Sequence, residues 1–157
     1  MAQEVNGFYQ VTEAMFNWFN AREEINTVTM GNLSDVGLKD VTQYGLVHIV
    51  PLTTTVGPKI NIFSFNIYAL DKVDSNKFDF RQMPDFRGTT NLQDAWHEMA
   101  QVLTFFTNAA RRGDLWDKNF EINTDPTINP FKDRFEHVLA GWEMTIEIEV
   151  FHGGIIC

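Results

Sequence analysis

Cysteine is nearly absent from this 157-residue chain: only Cys157 is present, at the last position. One thiol excludes an intrachain disulfide and any zinc site built on cysteines, and a reducing compartment suits such a composition. Long apolar runs are missing too. The longest aliphatic stretch, around "YGLVHIVP", is far shorter than the roughly 20 residues a membrane-spanning helix needs. The opening "MAQEVNGF" lacks the basic patch and apolar run of a secretion signal, so the chain is expected to be made and kept in a cytoplasm, without a membrane partner. Positive charge is scarce: 12 Lys and Arg stand against 21 Asp and Glu, a formal charge of −9. Tight binding to nucleic acid depends largely on Lys and Arg displacing counterions from phosphates, so this balance argues against it. An acidic surface still suits a protein past which DNA must slide without adhering.

Apolar residues are plentiful, at 44% with 14 Phe and 4 Trp. That supply is enough for a real core in a single domain spanning residues 1–157. From Val5 to about Arg22, Phe8, Val11, Met15, Trp18 and Phe19 recur at helical spacing, which predicts a first amphipathic helix. "INTVTMGNLSDVG" reads as a short strand, Ile25 to Met30, closed by a Gly-Asn turn, with a polar loop following to about Gln43. "YGLVHIVPLTTTVGPKINIFSFNIYALDKV" holds two strands separated by "VGPK" and reads as an antiparallel hairpin. In its second strand Phe63, Phe65, Ile67 and Ala69 alternate with Ser64, Asn66 and Tyr68, one apolar face and one wet face.

"DSNKFDFRQMPDFRGTT" is a long aromatic-spiked connection, a kind of segment that often carries interactions. A second helix is expected from about Asn91 to Arg112. Thr90 and Gln93 are placed for an N-terminal capping box, Arg111 and Arg112 sit before Gly113, and Leu92, Trp96, Met99, Leu103, Phe106 and Ala110 form an apolar stripe. "DLWDKNFEINTDPTINPFKDRF" offers a short strand around Phe120 to Ile122 and then a proline-bearing loop. The closing "EHVLAGWEMTIEIEVF" alternates Ile146, Ile148 and Val150 with Thr145, Glu147 and Glu149, a half-buried strand. These elements add up to an α+β domain: a mainly antiparallel sheet with two amphipathic helices packed on one face, and a flexible C-terminal tail over residues 152–157.

Motifs for chemistry are thin. "HEMAQ", His97 to Gln101, is one residue short of the helical zinc-hydrolase motif H-E-x-x-H. Glutamine at the second histidine position is a poor ligand, so a chance match on an amphipathic helix is the simpler account and no metal or cofactor is assigned. His48 lies in a strand, where a structurally hydrogen-bonded or an exposed histidine outweighs a ligand; His137 and His152 stand alone. Glu143, Glu147 and Glu149 have a spacing open to acid-base work on a glycosidic bond, but a solvated strand face explains them as well. There is no nucleophile elbow, phosphate loop or dinucleotide fingerprint. No catalytic residue is assigned.

The order of elements, together with "GNLSDV", "YGLVHIVP" and "AGWEMTI", resembles the tail terminator and tail-completion proteins of tailed bacteriophages over roughly Phe8 to Val150. The resemblance implies a non-enzymatic virion subunit, assembled in the host cytoplasm. Six copies would close a ring at the head-proximal end of the tail or at the head–tail junction. There the ring would end tube growth, dock to the connector and pass DNA through its centre without specific binding. Its implied partners are its own copies, the tail tube and the connector or neck proteins. The chain departs from the family pattern in the connection from Phe78 to Phe86 and in its "HGGIIC" end. A ring needs two different patches per subunit. Phe78, Phe80, Met83 and Phe86 supply one candidate, and Phe151, Ile155 and Ile156 a second. Glu147 and Glu149 are the candidates for a channel-facing surface. Two other classes compete: a metal-dependent hydrolase built on His97 and Glu98, and a monomeric module binding a small ligand or peptide.

Overall fold

The computed structural model describes residues 7–32, 45–72, 92–112, 120–122, 124–132 and 139–151. Among the described residues, two helices, α1 (Phe8–Asn20) and α2 (Leu92–Arg112), accompany six strands: β1 (Thr27–Met30), β2 (Leu46–Val56), β3 (Ile60–Lys72), β4 (Phe120–Glu121), β5 (Ile128–Lys132) and β6 (Leu139–Phe151). The sheet runs β1-β2-β3-β6, and β4 and β5 share the remaining edge of β6. Every pairing is antiparallel except β1 with β2. The fold is therefore the α+β arrangement that the alternating and helical periodicities imply.

Sheet and helices meet through one apolar layer. Phe63, Phe65, Ile67 and Ala69 of β3, Met144, Ile146, Ile148 and Val150 of β6, and Val47 and Ile49 of β2 are all buried on the same face. Val11, Met15, Trp18 and Phe19 of α1 and Met99, Val102, Leu103 and Phe106 of α2 close over them. An aromatic group holds the two helices together: the rings of Phe19 and Phe106 are 4.7 Å apart, and those of Trp18 and Phe106 5.4 Å. Such pairs add to what burial alone contributes. Gly7 begins α1 with φ 76°, and a Cβ there would stand 2.6 Å from Val150 Cγ1, so the helix can start against the end of β6 only with this residue type.

Indole hydrogen bonds tie α2 to the β5 side of the sheet. Trp142 Nε1 donates to the Trp96 carbonyl at 2.7 Å, and Trp96 Nε1 donates to the Phe131 carbonyl at 3.1 Å. Trp96 is half-buried, with its polar edge on a backbone carbonyl, whereas Met99, Leu103, Phe106 and Ala110 of its stripe are fully buried.

Two expectations need correction. The proline-bearing stretch read as a loop contains β5, which pairs with β6 from Ile128↔Met144 to Lys132↔Ala140. Proline is tolerated in a strand at a sheet edge, where one side of the backbone has no ladder to complete, and β5 is at an edge. Tyr68, read as lying on a wet face, is buried with Leu46, Leu70 and Leu139 in a second, smaller apolar cluster on the side of the sheet away from the helices. Phe131 of β5 packs on it, its ring 6.1 Å from that of Tyr68. The outer face is consequently apolar at one end and polar in the middle, where Tyr68 donates to Glu143 Oε1 at 3.3 Å and Thr145 donates to Asn66 Oδ1 at 2.7 Å.

Candidate interaction surface

The third zone of the outer face, toward the β2–β3 turn, is the most distinctive surface of the molecule. Register places Ile60 directly opposite Phe151 and Ile62 opposite Glu149, with Ser64 opposite Glu147. Ile60 is 41% exposed and Phe151 57%; on β2, Leu52 is 48% and Val56 79% exposed. A directly opposed apolar pair on a sheet ordinarily has a layer above it. Here the pair stands in solvent, with the exposed Leu52 on the same face farther along the hairpin; Val56, opposite Asn61, projects from the other face. An exposed apolar group of this kind marks an interaction site.

Acid borders it. Glu147 is exposed and Glu149 half-buried, and β4 brings the exposed Glu121 directly opposite Glu149. Like charges facing each other across a ladder destabilise it. Their presence here concentrates negative charge on the outer face. Glu121 was not among the expected residues: strand pairing put it there, and β4 and β6 are far apart in sequence.

Of the expected interface residues, Phe151 is exposed at the end of β6. Phe78, Phe80, Met83, Phe86, Ile155 and Ile156 lie outside the described residues, as do His137, His152 and Cys157. The exposure of Leu52 and Ile60 was missed because a strand residue's exposure depends on what packs over it, which alternation does not reveal.

The groups considered for chemistry are dispersed. His97, Glu98 and Gln101 are all exposed on α2, and the described residues contain no group of three or more His, Cys, Asp or Glu positioned to hold a metal ion. A cleft of 270 Å³ lies between α2 and β5, floored by Leu103, Ile128 and Met144. At its rim Arg111 pairs with Asp125 at 2.5 Å and also donates to the Thr124 carbonyl at 3.1 Å. The two charges engage each other, a binding or structural arrangement more than an acid-base one. Among the described residues, no helix is long and apolar enough to cross a membrane.

No protein-family model matches this chain, and no curated protein matches it. Its functional reading therefore rests on its own residues.

His48 proves to be a structural histidine. It is fully buried. Its Nε2 donates to the Asn32 carbonyl at 3.0 Å, and its Nδ1 shares a hydrogen bond with Thr29 Oγ1 at 2.7 Å; in the neutral ring the proton is then on Nε2 and Nδ1 accepts from the hydroxyl. These bonds fasten β1 and the residues after it to β2. Replacing Thr29 with valine keeps the shape and removes one donor. The expected cost is about 1–2 kcal/mol, from a buried acceptor losing its hydroxyl partner, measurable by urea unfolding.

Proposed function

We propose that the chain is a structural virion subunit. In this reading six copies form a ring at the head-proximal end of a phage tail or at the head–tail junction, ending tube growth and docking to the connector. The observation that carries it is the exposed Ile60–Phe151 pair, an apolar patch at one end of a sheet whose two described helices are on the other side. Sister copies are the occupants that best suit such a patch in an acidic chain that has little to attract nucleic acid or an anionic membrane. The acidic strip of Glu121, Glu147 and Glu149 then lines the channel, where it repels passing phosphates and lets DNA slide.

Two measurements test it. Ile60→Asp with Phe151→Asp places like charges at the contact, and assembly is expected to weaken at least 100-fold while the monomer stays folded, read by mass in solution and by circular dichroism. Unchanged assembly would remove the patch from the interface. Charge reversal by Glu147→Lys with Glu149→Lys is expected to make isolated rings retain DNA, with an affinity that falls steeply as salt rises. Rings that ignore DNA at low salt, together with unaltered genome release, would take the acidic strip out of the channel.

The hydrolase alternative keeps only His97 and Glu98, both on the solvent side of α2. Stoichiometric zinc in the purified protein would favour it.

A further inference from the structure

Among the described residues, the β2–β3 hairpin has an open edge. β1 pairs with β2 only from Leu46 to Ile49, and every side chain from Pro51 to Val56 on the continuing strand is exposed. The phase of the backbone along that edge follows from two hydrogen bonds. Gly31 N–H donates to the Ile49 carbonyl at 3.1 Å, so Ile49 faces the β1 side, and so does Pro51 two residues on. Gly57 N–H donates to the Ile60 carbonyl at 3.1 Å, which turns Gly57 and Thr55 toward β3 and leaves the N–H and C=O of Thr54 and Val56 pointing outward. The register shift between Pro51 and Thr54 reconciles the two phases. Proline thus occupies an outward position that needs no acceptor, and beyond it a short uncapped strand edge begins.

Natural sheets usually protect such an edge with charge, and this one has none. From Tyr44 to Leu70 the sequence carries a single charged side chain, Lys59 in the turn, although 21% of the whole chain is charged. Leu-Thr-Thr-Thr-Val is also strongly strand-forming. Over most of its surface a chain of charge −9 repels its own copies; along this edge nothing does.

We infer that the Thr54–Val56 edge pairs antiparallel with the same edge of a second copy, about a two-fold axis through Thr55. Thr54 of each copy then exchanges backbone hydrogen bonds with Val56 of the other, satisfying all the outward groups of both residues. Thr55 faces its own counterpart at a non-hydrogen-bonded position, where Cα atoms lie about 4.5 Å apart and threonine pairs are favourable. Among the described residues the gap accommodates the partner: its turn reaches about as far as Pro51, short of the Ile49 that β1 covers. A two-fold axis of this kind runs through the sheet, keeping both copies' helices on one side. The contact is isologous, so it is separate from the head-to-tail contact of a ring and leaves the Ile60–Phe151 pair available to that contact. One short edge buries well under the roughly 1,000 Å² expected of a stable dimer, so the pairing is weak and is best trapped covalently.

The test uses the full chain with Cys157→Ser and Thr55→Cys under mild oxidation. The expected result is a dimer reversible by reductant, formed at least tenfold faster than with Thr104→Cys, an exposed position on α2, in the same background. Adding Thr54→Pro, which removes an outward donor without breaking a bond to β3, is expected to slow the cross-link at least tenfold. Thr54→Lys should do the same, and serves if the proline disturbs folding as judged by circular dichroism. Cross-linking no faster than at position 104, or undiminished by both Thr54 substitutions, would overturn the self-pairing. Intact rings without the cross-link would sink this inference alone, whereas a cross-link in protein that never forms rings would sink only the ring proposal.

Discussion

Gly141→Val is expected to leave no folded protein. Gly141 lies in the β3–β6 ladder opposite Leu70, with Ala69 opposite Trp142 on one side. A Cβ on residue 141 would fall on the Ala69 carbonyl oxygen and stand 2.8 Å from Leu70 Cα and 2.9 Å from the Ala69 carbonyl carbon. All three atoms are backbone, so no side-chain rotation relieves the clash. β3 cannot retreat either, because β2 is paired to its other side and Leu46, Tyr68, Leu70 and Leu139 are packed beside the contact. A glycine inside a strand often marks such a close approach of two backbones. Gly141→Ala should lose about 3 kcal/mol or more, at the severe end for a single overpacking substitution, and the branched valine more than a domain of this size can spare. Urea unfolding of the alanine variant and soluble yield of the valine variant check this. Alanine within about 1 kcal/mol of the parent would show that β3 and β6 separate here at little cost.

Phe106→Ala carries the second large effect. Phe106 is fully buried, contacts Trp18 and Phe19 of α1, and lies on the α2 stripe that faces the sheet. Truncation removes an aromatic ring at the junction of both helices and leaves a cavity that neighbours on two elements and a sheet can fill only in part. A loss of about 3–5 kcal/mol follows. The urea midpoint should fall with little change in slope, since the folded shape is kept. Because this cluster joins α1 to α2, the amide hydrogens of α1 should also exchange faster than those of β3 and β6. A loss below 1 kcal/mol would mean that the helices are held by something other than this core.

Much of the fold is legible in the sequence because burial imposes a period. Val11, Met15 and Phe19 on α1, and Met99, Leu103 and Phe106 on α2, follow helical spacing and all lie in the core. Phe63, Phe65 and Ile67 alternate as a one-sided strand should, and the "VGPK" turn falls between β2 and β3. What stayed hidden depends on long-range pairing. Pro130 disguises β5, because a proline is acceptable there only once β6 is alongside. Leu46, Leu70 and Leu139 make a second cluster only after three strands align. The meaning of Gly141 is invisible until Leu70 is placed across from it. The same holds for the candidate surface: Glu147 and Phe151 stand out from strand alternation alone, whereas Glu121, Ile60 and Leu52 join them through register and through the absence of a covering layer among the described residues.

Electron microscopy of the purified protein over a range of concentrations, with mass in solution measured on the same samples, tests the central claim most directly. Annuli of six copies are expected, lost in the Ile60→Asp, Phe151→Asp variant, which should persist as a folded monomer. A parent chain that stays monomeric under every condition, including inside a mature particle, would contradict the account.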